Sequence, residues 1–294
     1  MGATSVKEPL KRALGPVWVS RARRLSRLRW MTKYRLMRSL GTDIGWRHRL
    51  TYVLLDPETE SFSYELGNRV EMIGALASAL GRPQDELAAY AAEADHDPEL
   101  NGVLARRVRR RVDVKHHLPL GHRLAWYLMA RALQPETIVE TGIHLGLGSL
   151  ALLRALQRNE RDGSPGTLIS IDANPDAGTL VRPELRANWH LVTGLTSDRL
   201  LPALEGRRVG LFLQDTAHTE ENQRFEFNAA LAYAADRITL VDASGGWAPT
   251  LRELCAERGG IYHQVPVRSR AHVYPGLDVA FGLFERAAPQ PPIT

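Results

Sequence analysis

The sequence predicts an α/β fold, doubly wound about a mostly parallel sheet, and three observations carry the prediction. From residue 118 to 285 short apolar runs alternate with stretches of helical spacing. That is the pattern of a sheet covered by helices on both faces. Residues 137–150, TIVETGIHLGLGSL, read as strand, acidic residue, glycine turn and helix, the entry of a nucleotide-like ligand into such a sheet. Four of the first five strands stop at a carboxylate: Glu140, Asp172, Asp215 and Asp242. Asp is poor inside strands, so these ends read as a ligand-facing rim.

In chain order, residues 1–15 are loose and Gly15-Pro16 is a break. Helices are expected over 17–40, 64–80 (stopped by Gly81-Arg82-Pro83) and 84–94. In Asp95-His96-Asp97-Pro98, Asp97 reads as the N-cap and Pro98 as the first residue of a further helix, rather than as a metal site. The basic run 105–117 reads as an exposed helix face, with no interleaved aromatic residues for stacking on nucleic acid. A helix over 121–133 leads into the first strand, and another follows over 148–158. Strands are expected at 167–172, 189–194, 209–215 and 237–242, with helices over 220–235 and 248–258 among them. Two late strands, 261–267 and 279–285, complete the sheet, and the Pro-rich end is a disordered tail. The domain reading is a helical cap with a basic arm over 1–117, a ligand-binding domain over 118–288 and a tail over 289–294.

Composition narrows the class. No apolar run approaches the ~18 residues that span a bilayer. The single cysteine, Cys255, excludes an intrachain disulfide and a cysteine metal site, so a cytoplasmic setting is expected. Residues 1–50 carry thirteen Lys/Arg against two Asp/Glu, although the whole chain is only +5. Such an arm can touch an anion, but a solvated amphipathic helix is the simpler reading, and nucleic acid is not an expected partner.

The glycine turn admits two ligand classes. A dinucleotide wants G-x-G-x-x-G directly after the strand, and here Gly146-x-Gly148 comes four residues late. Glu140 also sits where a pyrophosphate would bring negative charge. An acidic residue there suits a cation, such as the ammonium or sulfonium of S-adenosylmethionine. On that reading Glu140, Thr141, Gly142, Gly146, Gly148 and Ser149 surround the methionyl part. Asp172 accepts both ribose hydroxyls, and Thr196 borders the adenine. Asp215 and His218 share the cavity, with His218 as the general base.

VETGIHLGLGS, LISIDANP and the D-x-x-H-T-x-E of residues 215–221 resemble motifs I, II and IV of the class I S-adenosylmethionine-dependent methyltransferases. The similarity runs over 118–285. It is greatest to the bacterial branch of macrocin-type O-methyltransferases and natural-product tailoring enzymes. Residues 62–65 (FSYE) and 274–276 (YPG) also look like that branch. The resemblance implies a Rossmann-like seven-stranded sheet with its last strand antiparallel, and S-adenosylmethionine as cofactor. The implied function is methylation of a hydroxyl or amine on a small molecule. In metal-dependent relatives a Mg²⁺ is held at the positions of Asp215, Asp242 and Ala243. Alanine cannot ligate, and Gln214 stands where the branch often carries His.

That erosion leaves a second expectation, that S-adenosylmethionine is itself cyclised with release of methylthioadenosine. A binding protein without turnover is a third reading. The apolar surface expected on the N-terminal helices suits a lid and a homodimer contact equally.

Overall fold

The computed structural model describes residues 64–100, 120–270 and 276–285, together with Leu36, Trp46 and Leu50. The chain divides into two units, one of Met1–Phe62 with Ala271–Pro275 and one of Ser63–Arg270 with Gly276–Thr294. Only the second is described in detail. The expected helix over 17–40, the basic run 105–117 and the tail 289–294 lie outside the described residues.

Helices α1 (Arg69–Leu80) and α2 (Gln84–Asp95) precede α3 (Arg123–Leu133). The alternation that follows is β1 (Thr137–Thr141), α4 (Leu147–Arg161), β2 (Thr167–Asp172), β3 (Trp189–Thr193), α5 (Thr196–Leu204), β4 (Val209–Gln214), α6 (Glu220–Ala232) and β5 (Ala234–Asp242). Helix α7 (Thr250–Arg258), β6 (Ile261–Val265) and β7 (Val279–Glu285) close the chain. A 3-10 helix, Pro183–Asn188, precedes β3 and has no counterpart in the sequence reading.

The seven strands lie in the order β3-β2-β1-β4-β5-β7-β6. Strands β1 to β5 pair in parallel and β7 runs antiparallel to both β5 and β6. The expected antiparallel last strand is therefore present. β1 is central and buried along its whole length, as a two-sided parallel strand must be. On one face Val139, Ile169, Phe212 and Leu240 form a core with Leu200 of α5, Phe227 of α6 and Leu251 and Leu254 of α7. Helix α3 is interior from Leu124 to Ala132.

One correction has a plain cause. The helix expected over 64–80 begins only at Arg69. The backbone of the preceding residues is engaged elsewhere: Gly67 N–H donates to Arg268 C=O, Arg270 N–H to Glu65 C=O, and Leu66 bridges Ser269. The Asn68 side chain locks the same seam, donating to Pro266 C=O at 2.9 Å and accepting from Arg268 N–H at 2.8 Å. Helices α1 and α2, read as part of the cap, lie in the same unit as the sheet, Ser63–Arg270 with Gly276–Thr294. They are tied in by polar bonds: Tyr127 and Arg131 of α3 both donate to Glu93 of α2.

Asp97 behaves as expected of an N-cap, accepting from Glu99 N–H and Leu100 N–H at 2.9 and 3.0 Å. Its other oxygen accepts from Arg154 Nη2 at 2.7 Å. Burial works against this carboxylate, but the Arg154 and backbone donors hold its pKa below the usual value.

Candidate active site

The carboxyl ends of β1, β2, β4 and β5 carry the predicted residues, and strand parity sorts them into two sets. Thr141, Gln214 and Asp242 are in register across β1, β4 and β5, so they share one face, the face of α6. Glu140 is in register with Ser170 and belongs to the other face.

On the α6 face, Thr141 Oγ1 donates to Glu226 Oε2 at 2.7 Å. Gln214 and Asp242 are both served by Gln223, whose Nε2 lies 3.2 Å from Gln214 Oε1 and 3.0 Å from Asp242 Oδ1. All five side chains are buried. The opposite face holds Glu140, only 2% exposed. Its carboxylate accepts from Ser149 Oγ and, at 3.0 Å, from Ser170 Oγ. Burial pushes its pKa up to about 7 despite these donors. Glu140, Thr141 and Ser149, expected around a methionyl group, thus spend their polar atoms inside the protein.

The glycines divide the same way. Gly142 and Gly146 have φ of 80° and 88°, which only glycine holds without strain. A Cβ on Gly142 would lie 2.1 Å from Asp215 C=O, so this glycine lets the ends of β1 and β4 touch. Gly148 is helical, and a Cβ there would meet Glu140 Oε1 at 2.6 Å and the Trp126 ring at 2.7 Å. Its absence of a side chain makes room for Glu140, not for a ligand.

Asp172 anchors the glycine turn. Its Oδ2 accepts from Ile143 N–H at 2.7 Å and His144 N–H at 3.1 Å, and Oδ1 from Asn174 N–H at 2.8 Å. A carboxylate has about four acceptor positions, so three are taken. The bidentate grip on two ribose hydroxyls is reduced to a single free position. His144, held at φ 52°, is the one non-glycine residue of this turn in the left-handed region. Thr196 opens α5 and is partly exposed beyond β3.

Asp215 follows β4, and its N–H donates to Thr141 C=O at 2.8 Å. Its side chain keeps 34% of its surface open, yet the surrounding walls push its pKa up to about 7. Burial is the main cause; Glu140, Asp242 and Asp172 add to it, and the Arg123 charge opposes it. His218 Nε2 lies 3.8 Å from Asp215 Oδ1 and its ring is 38% exposed. The expected pair is therefore together at an open cleft. His218 Nδ1 faces Gln214 Oε1 at 3.2 Å.

The donor set fits a cationic cofactor. Four carboxylates lie near enough that Glu140, Asp242 and Asp172 each strengthen proton binding at Asp215; a sulfonium relieves that accumulation of charge. Asp172 keeps an acceptor position for a ribose hydroxyl. The set does not fit Mg²⁺. Ala243 offers no ligand, and Asp242 is 1% exposed with Oδ1 already accepting from Gln223 and from Ser244 N–H. Among the described residues no three metal-ligating side chains converge. Asp242 Oδ2, Gln223 Oε1 and Ser244 Oγ are buried without a protein partner.

The sequence reading missed Gln223, Glu226 and Arg123. Gln223 and Glu226 stand three apart on α6, hence on one helical face, and that spacing was the available signal. Arg123 lies with its guanidinium 5.4 Å from the Trp126 ring centroid. Its charge lowers proton affinity at both Glu140 and Asp215. No helix among the described residues is long and apolar enough to cross a membrane.

Comparison with known proteins gives a family match. Residues 139–241, from β1 nearly to the end of β5, match the model described as a methyltransferase domain. A search of curated protein sequences gives no match. Among solved structures, an O-methyltransferase from Bacillus cereus, in complex with SAH, is 18% identical, with 64% of this chain and 90% of that one covered at a TM-score of 0.47. A methyltransferase from Geobacter sulfurreducens is 19% identical, with 68% and 97% covered at 0.45. The O-methyltransferase TomG from Streptomyces achromogenes, in complex with SAM, is 16% identical, with 67% and 96% covered at 0.46. The match identifies a methyltransferase domain over residues 139–241, set within the seven-stranded sheet.

Proposed function

We propose that this chain transfers the methyl group of S-adenosylmethionine to a hydroxyl or amine of a small, natural-product-like molecule. The observation that carries the reading is the pair at the end of β4, where His218 Nε2 stands 3.8 Å from Asp215 Oδ1 with both side chains partly open. The bound cofactor supplies an electrophilic methyl on sulfur. The chain's own residues hold the partners in line, near ~3 Å, and keep water out. Asp172 and the turn it anchors take the ribose side, and Thr196 the adenine side. His218 receives the proton released when the acceptor oxygen or nitrogen bonds to the methyl carbon, and Asp215 stabilises the imidazolium. TomG, named for its part in tomaymycin synthesis, is in keeping with a natural-product acceptor. A homodimer and a cytoplasmic setting belong to the same reading.

The test is incubation with S-adenosylmethionine and a panel of small phenols, sugars and amines, read by mass. S-Adenosylhomocysteine and a product heavier by one methyl are expected. His218→Ala should lower turnover about 100-fold or more, as loss of a general base does, with cofactor affinity kept. Methylthioadenosine as the only breakdown product would overturn the reading.

A further inference from the structure

We infer that Gln214 and Gln223 are positioning residues, which with Asp242 hold His218 as its Nδ1–H tautomer and leave the Nε2 lone pair facing the cleft beside Asp215. The inference rests on the reading of His218 as the base.

Each orientation in the chain is forced by its neighbour. Gln223 Nε2 lies between Asp242 Oδ1 at 3.0 Å and Gln214 Oε1 at 3.2 Å. Both are acceptors, so the amino group must be there; reversing the amide would set oxygen against carboxylate. Asp242 is itself fixed by Ser244 N–H at 2.8 Å. Gln214 Nε2 faces Ala217 C=O at 3.3 Å and Thr216 Oγ1 at 3.1 Å. A carbonyl only accepts, so Gln214 Oε1 is the atom turned toward His218. His218 Nδ1, 3.2 Å from that oxygen, must then carry the hydrogen.

Burial makes the relay stiff. Gln214 and Gln223 are 0% exposed and Asp242 is 1% exposed, so water does not compete along it. His218, at its outer end, is open. A free neutral imidazole favours the other tautomer, with hydrogen on Nε2, in which Nε2 cannot accept a proton. The relay reverses that preference. It delivers the base in the one neutral form that works through Nε2, as a buried carboxylate does when it orients a histidine directly. Here two amides extend the reach of Asp242 to the His218 ring.

The experiment is long-range proton–nitrogen correlation on the ligand-free, full chain with ¹⁵N-labelled histidine, His218 being assigned by the peaks lost in His218→Ala. The parent should show a pyrrole-type Nδ1 and a pyridine-type Nε2. Gln214→Met removes the acceptor and should move His218 to a majority of the Nε2–H form. Gln223→Leu does not touch the ring and should move it part of the way, which covers the case in which Gln214→Met fails to fold. With an acceptor in hand, Gln214→Met should lower kcat at least about tenfold, a fraction of what a base supplies, with the KM for S-adenosylmethionine unchanged. An Nε2–H parent, or variants that keep the parent tautomer, would overturn the inference. The tautomer measurement uses neither cofactor nor acceptor. Absence of methyl transfer in a chain with the stated tautomer therefore counts against the proposed reaction alone.

Discussion

Glu140 is the residue whose visible chemistry and actual environment differ most. Its type and position pointed to a ligand, but the pleat turns it inward, where Ser149 and Ser170 donate to it. Sequence shows that a carboxylate ends the strand; only the sheet shows which face it takes. The environment has a measurable consequence. Burial raises the Glu140 pKa to about 7, so the folded state holds a proton that the unfolded chain has already released. The associated stability is fully present below the unfolded pKa, near 4.5, and is lost as pH rises toward 7. Glu140→Gln keeps an oxygen for both hydroxyls but does not titrate. Between pH 5 and pH 8 the variant should lose about 2 kcal/mol less stability than the parent, from a linkage of 1.36 kcal/mol per pKa unit. Parallel urea midpoints for the two proteins across that range would refute the assignment.

Among the elements, the glycine turn was the most legible part of the chain. The strand, turn and helix were all evident from TIVETG and the run that follows. Two of the glycines also let the chain approach itself closely: Gly142 against Asp215 C=O, Gly148 against Glu140 and Trp126. Register across a sheet is set by strands remote in sequence, so no local pattern announces it. Gly142→Ala should therefore behave as a folding mutation as well as a binding one. The positive φ and the 2.1 Å approach together should cost more than about 3 kcal/mol, seen as a large fall in urea midpoint. Asp172→Asn should also cost stability, because an amide nitrogen in place of Oδ2 cannot accept from Ile143 N–H and His144 N–H; its cofactor affinity should fall about tenfold as the turn beside the ribose loses its charged anchor. Unchanged affinity in Asp172→Asn would remove the residue from the ribose contact. The helix expected over 64–80 failed for a comparable reason: its first residues bond to 266–270, some 200 positions away.

At the scale of the whole molecule, the charge of the chain is divided. The basic surplus of residues 1–50 and the acidic rim of the sheet are opposite in sign, and only the rim is among the described residues. There the carboxylates at the ends of β1, β2 and β5 raise the affinity of Asp215 for protons, and Asp172 raises that of Glu140. A cofactor carrying a sulfonium changes that balance, whereas its demethylated product does not. With a pKa of about 7, Asp215 is about half protonated at pH 7, so a cation at the cleft should expel up to about half a proton from it. Calorimetric titration with S-adenosylmethionine should accordingly give apparent enthalpies that differ between phosphate and Tris by the ionisation heat of the protons released. S-Adenosylhomocysteine, equal in every group but the charged sulfur and its methyl, should release fewer. In Asp215→Asn the difference between the two ligands should shrink. Equal proton release by both ligands in the parent would mean that the sulfonium sits away from Asp215, and the methyl with it, so that the base and the cleft described above would not be the site of transfer.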